Sequence, residues 1–177
     1  MCHTDLNQHF GIDAVKALAA KAQKDSAFCE SLFATATADD GRCSRNSAWA
    51  LTHLPKDCNT LIESHRESLT KAVLRTSDSS LRRLLLTLME RLPWDKEHLR
   101  TDLLDFCLLH LVDPAEPYGV RALCAKLAWA QCRHYTELRA ELHTTLTLIE
   151  PHTISPGLRN TRTKILKSIN NNTEPQT

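Results

Sequence analysis

The chain has 177 residues, a formal net charge of +1, 42% apolar and 5% aromatic residues, and four glycines. Its length suits one domain with little room for a second, and so few glycines and aromatics exclude the turns and strand cores of a typical β fold. The near-zero net charge excludes a global attraction to nucleic acid or an anionic membrane, so any such binding needs a local patch.

Residues 1–10 are polar and read as a flexible N-terminus. Ile12, Val15, Leu18, Ala19 and Ala22 then fall at helical spacing, and Phe28, Leu32, Phe33 and Ala36 do so again after Asp25 and Ser26, which can cap a second helix. Asp39, Asp40 and Gly41 end this first hairpin. The next unit begins near Arg42, carries Ala48, Leu51 and Leu54 on one face, and stops at Pro55, which cannot continue a helix interior. Asp57 is placed to cap a partner helix with Leu61, His65, Leu69 and Val73 on its stripe.

A third unit repeats this plan. Ser79 or Ser80 caps a helix with Leu85, Leu86, Met89 and Leu92, Pro93 ends it, and Asp95 caps a partner with Leu99, Leu103, Cys107 and Leu111. The fourth opens between Pro117 and Val120 and presents Cys124, Leu127 and Ala128. Its second helix carries Leu138, Leu142, Leu146 and Ile149 until Pro151. Pro156 and Gly157 introduce a last helix with Ile165, Leu166 and Ile169, whose Arg159, Lys164 and Lys167 suit a polar outer cover. Residues 171–177 read as a disordered tail.

Leu54-Pro55-Lys56-Asp57 recurs as Leu92-Pro93-Trp94-Asp95, and Leu61 recurs as Leu99 and then Leu138, a period of about 38 residues. Units of this length are helical hairpins that cannot bury an apolar face alone and must stack on their neighbours. The sequence therefore predicts an all-α fold, a right-handed superhelix of four hairpins plus a capping helix, spanning residues 11–170 as one domain.

Seven cysteines form an odd set at positions where a helix takes a small apolar side chain, and they read as reduced packing thiols. No secretory layout precedes Ile12, and no run reaches the ~18 apolar residues of a membrane span, so a cytoplasmic protein is expected. Cys107 with His110, and Cys124 with Cys132, share helix faces, yet neither pair has the companions a four-ligand zinc site needs. Neither metal nor cofactor is expected. Metalloprotease, phosphate-loop and nucleophile-elbow motifs are absent, so no catalytic residue is assigned.

Three charge features remain. An acid stands five residues before an arginine in successive units, as Asp40 and Arg45, Asp78 and Arg83, Glu116 and Arg121. An arginine near a helix start opposes the dipole, which predicts an inter-repeat ion-pair ladder, with a ligand-binding arginine row as the alternative. Opposite the leucine stripes, the second helices carry Glu63, Glu67, Asp102, Asp105 and Glu141, with Arg66, Lys71 and Arg100 nearby, a surface that leans acidic. Trp49 and Trp129 occupy related places on first helices, where they pack between units or border a groove.

The period, the hairpin layout, the turn acid with its arginine, and helix starts such as Arg45-Asn46-Ser47-Ala48-Trp49-Ala50-Leu51 resemble HEAT and armadillo-type α-solenoids. The stretch from Arg42 to Ile169 resembles small bacterial HEAT-like repeat proteins, especially in its ending from Val120 through Ser155-Pro156-Gly157 to a basic helix. That group has carried the label adenylosuccinate lyase. Those enzymes are similar to much longer helical chains with a loop of Ser, Ser, then Met, Pro and Lys, whereas Ser79 and Ser80 here precede Leu81, Arg82 and Arg83. The resemblance implies a non-enzymatic scaffold whose second helices line a concave face holding another protein, with no membrane partner. The alternative is a nucleic-acid-binding protein similar to HEAT-like DNA glycosylases, using the basic end and the arginine row. Self-association through an exposed solenoid end is a third possibility.

Overall fold

The computed structural model describes residues 6–39 and 41–171. Ten α-helices and three single turns of 3-10 helix make up their regular structure, so the protein is all-α as its periodicity predicts. The chain groups into two compact units that divide between Leu92 and Pro93.

The first unit contains α1 (Ile12–Lys24), α2 (Ser26–Ala36), α3 (Gly41–Thr52), α4 (Asn59–Ser64), α5 (Arg66–Arg75) and α6 (Ser79–Glu90). The Asp25 side chain accepts the Phe28 amide at 3.0 Å and starts α2, whose Phe28, Leu32 and Phe33 are buried. Asp39 at φ 60° and Gly41 at φ 46° adopt the left-handed backbone that reverses the chain into α3. Helix α3 is the centre of this unit, packed on α1, α2 and α6. Successive repeats are tied at their turns. Thr76 donates its hydroxyl to Asp39 Oδ1 at 2.8 Å, Arg75 reaches the Thr37 carbonyl, and the Arg91 guanidinium binds the carbonyls of Leu54 and Pro55 and the Asn59 side chain at 2.6–2.9 Å.

The second unit contains α7 (Thr101–Val112), α8 (Tyr118–Cys132), α9 (Thr136–Thr147) and α10 (Pro156–Asn171). Helix α8 packs on α7, α9 and α10 and buries Val120, Leu123, Cys124, Leu127 and Ala128. Arg133 caps the Trp94 carbonyl at 2.9 Å, and the Tyr135 hydroxyl donates to the Lys96 carbonyl at 2.9 Å. This is the same kind of turn clamp that Arg91 makes one repeat earlier.

Several expectations need correction. Residues 6–10 belong to the fold: Leu6 and Phe10 are buried, and the Asn46 amide donates to the carbonyls of Leu6 and Gln8 at 2.8 and 2.9 Å. The helix expected after Asp57 is broken at His65 into α4 and α5, and Ile62 rather than Leu61 fills the interior. The turn Lys56–Cys58 has no side-chain cap, so Asp57 does not play the role assigned to it. Asp78, not Ser79 or Ser80, caps α6, because only its carboxylate reaches both the Ser80 and Leu81 amides. Asp95 caps the turn Lys96–His98 instead of α7, which leaves Leu99 half-buried in an extended link ahead of the helix. Ile12 is exposed, and Leu18 and Leu138 are half-buried. The expected tail beyond Asn171 lies outside the described residues.

Candidate interaction surfaces

The charged residues of the second helices fall into two groups with different electrostatics. On α4 and α5, Arg66 meets Glu63 at 3.3 Å and Lys71 meets Glu67 at 3.3 Å, so acids and bases there neutralise one another along the helix surface. On α7, Arg100 grips Asp102 with two hydrogen bonds of 2.7 and 3.1 Å. That guanidinium, helped by the Leu103 amide against a smaller effect of burial, holds the Asp102 carboxyl below the usual range. Asp105 and Glu141 are exposed, and their carboxylates accept no hydrogen bond and form no ion pair among the described residues.

The exposed side of α7 is a stripe. Asp102, Asp105, Leu109 and Val112 follow helical spacing and are all exposed, while Leu103, Leu104, Cys107 and Leu111 on the other side are buried. Leu109 is 67% exposed and Val112 40%. In α9, the exposed Glu141 precedes Leu148, which follows the helix directly and is 76% exposed. Asp102 with Leu109 and Glu141 with Leu148 share one offset and occupy equivalent places in successive repeats. Helices α7 and α9 are in contact, so both pairs belong to one unit. The acids of this surface were read from the sequence, but the leucines were not. Leu109 lies outside the buried stripe, and its mismatch with the 3.6-residue core period was the available signal.

The arginine row proves to be three different arrangements. Arg45 of α3 pairs across the repeat with Asp78, the cap of α6. Asp40 lies outside the described residues. Arg83 is exposed, and its guanidinium makes no hydrogen bond or ion pair among the described residues. Arg121 is buried, donates Nε to the Leu111 carbonyl at 2.9 Å and lies over the Tyr118 ring. Glu116 is also buried and takes His110 Nδ1 at 2.8 Å, with the His110 ring against Phe106. His110 therefore ties the α7–α8 loop to its helix.

In the first unit, Arg42, Arg45 and Trp49 of α3, Arg83 and Leu84 of α6, and Phe10 of the N-terminal segment line a pocket of about 400 Å³. Among the described residues, Arg42 reaches only the Asn7 carbonyl, at 3.4 Å. No carboxylate among the described residues lines this pocket.

His65 stacks on Phe33 at 3.9 Å between centroids and faces Glu30 at 3.2 Å, a half-buried structural contact. The six cysteines of the described residues are buried free thiols. A hydrogen bond that the Cys107 thiol donates to Cys124, followed by burial, raises Cys107 well above its ordinary value, and burial with the Glu141 charge pushes Cys132 up to about 12. His110, Asp113 and Glu116 bring three ligand atoms within 4.8 Å of one another. Asp113 Oδ1 already accepts the Ala115 amide at 2.8 Å and His110 already holds Glu116, contacts that account for the grouping as loop structure.

No helix among the described residues is long and apolar enough to cross a membrane. No curated protein and no solved structure matches the chain. The family model of the HEAT repeat domain matches residues 2–169, nearly the whole length. With its helical hairpins, its repeated turn clamps and that match, the chain belongs to the HEAT repeat family.

Proposed function

We propose that the protein is an interaction scaffold that docks another protein on the outer stripe of α7 and α9. The recurrence of an exposed acid and an exposed leucine, Asp102 with Leu109 and Glu141 with Leu148, is the observation that supports this reading. Apolar side chains left in water at equivalent places of two packed helices are the usual marks of a partner surface. The carboxylates of Asp105 and Glu141, unpaired among the described residues, favour a partner segment that is basic beside its apolar anchors. The Glu63, Arg66, Glu67 and Lys71 group contributes less, because its charges are already matched. Such a role needs no cofactor and no catalytic residue.

The test compares quantitative affinity capture by the wild-type chain, Leu109→Glu, and the pair Asp105→Lys with Glu141→Lys. These residues are exposed, so stability should move by no more than about 0.5 kcal/mol. A specific partner should be lost by at least about tenfold with Leu109→Glu. Identical capture by all three proteins would remove this surface from consideration.

Nucleic-acid binding is the second reading, supported by Arg42, Arg45 and Arg83 around one pocket. It requires binding that weakens steeply with salt.

A further inference from the structure

The pocket between α3 and α6 has a composition that packing alone does not require. Three arginines line it, and Asp78, which pairs with one of them, Arg45, is also committed to capping α6. Arg42 and Arg45 stand in the first two turns of α3, so the positive end of that helix dipole adds to their charge. Among the described residues, Arg83 has no hydrogen-bonding partner and Arg42 has only a long contact to a backbone carbonyl. One wall is apolar: Trp49 is half-buried beside Phe10 and Leu84. A cavity of about 400 Å³ falls in the size range of small-molecule sites.

Guanidinium forks bind phosphate oxygens with matched geometry, and a tryptophan face offers a stacking surface to any planar ring. We propose that this pocket binds an organic phosphate of nucleotide size, its phosphate held by Arg42 and Arg83 and its ring set against Trp49. Arg45 positions the site, because its pairing with Asp78 fixes the separation of α3 and α6. The clasp of Asn46 on the Leu6 and Gln8 carbonyls holds the N-terminal wall in place. This site is independent of the docking stripe on α7 and α9, and neither reading needs the other. Its ligand chemistry is shared by a free mononucleotide and by a nucleotide within a single strand.

Titration calorimetry at low salt with adenosine monophosphate, adenosine, inorganic phosphate, a short single-stranded oligothymidine and a phosphoserine peptide tests the proposal. The monophosphate should bind at least about tenfold more tightly than adenosine or phosphate, since only it satisfies both walls. Arg83→Gln should weaken it by about tenfold while the melting temperature stays unchanged, because the side chain is exposed. Trp49→Leu should bring the monophosphate down to the level of inorganic phosphate. Competition between oligothymidine and the monophosphate, lost with Arg83→Gln, would support the site and identify its source as a strand. Oligothymidine that fails to compete would support a free nucleotide. The proposal is overturned if the monophosphate does not bind at millimolar concentration, if Arg83→Gln leaves its affinity intact, or if the phosphoserine peptide binds as tightly.

Discussion

The Asp78 carboxylate accepts the Ser80 and Leu81 amides at 2.8 and 3.1 Å while it pairs with Arg45 of the preceding repeat. Burial pushes its titration upward, but the Leu81 amide, the Arg45 hydrogen bond and charge, and the Ser80 amide outweigh that effect and hold it below the ordinary carboxylate value. A depressed folded value means stabilisation that is complete above the unfolded value of about 4 and is lost as pH falls through the folded one. Asp78→Ala should therefore cost about 1 kcal/mol at neutral pH, the typical loss of a helix cap. Asp78→Asn, which keeps the cap but not the charge, should cost less and should flatten the acid limb of stability. Urea denaturation at pH 7 and pH 3 checks both, and an acid limb unchanged in Asp78→Asn would show that the charge is idle. The acid-to-arginine spacing was visible in the sequence, but the partner was not. That spacing repeats along the chain, whereas the pairing depends on which helix start faces which arginine.

At the level of elements, the prolines and the leucine period made most helices legible. Pro55, Pro93 and Pro151 each follow a helix, and Leu69, Leu85, Leu103 and Leu142 are buried as their stripes required. The errors cluster where a helix stops being regular. The break at His65 rotates the stripe from Leu61 to Ile62, and the capped turn Lys96–His98 removes Leu99 from α7. The second depends on the Asp95 side chain satisfying the Glu97 and His98 amides locally, which periodicity does not report. Leu103→Ala should accordingly cost about 2–5 kcal/mol, and Leu99→Ala only about 1 kcal/mol, because the latter is half-buried outside the helix. Equal losses in chemical denaturation would return Leu99 to the core.

Over the whole molecule, the buried thiols divide evenly, with Cys29, Cys43 and Cys58 in one unit and Cys107, Cys124 and Cys132 in the other. Burial, with smaller effects of Glu30 and Cys58, raises Cys29, and burial followed by Asp57 raises Cys58, while burial shields all six thiols from reagents in the folded state. Pulsed alkylation read by peptide mass spectrometry should leave all six protected in native protein. As denaturant rises, the three of each unit should become labelled together, except that Cys58, in a single turn of 3-10 helix and 8% exposed, should react first. Labelling of Cys107 ahead of Cys124 and Cys132 would contradict a common core around α8. What escaped the sequence at this scale was the contribution of distant segments. Leu6 and Phe10 look like loop residues until Asn46, forty positions onward from Leu6, supplies the amide that seats them. Trimming the gene back to the first obvious helix would thus strip two greasy plugs from α3 and leave its Asn46 latch with nothing to grip. It would leave a wet scar on the protein and unroof the arginine-lined hollow beside it.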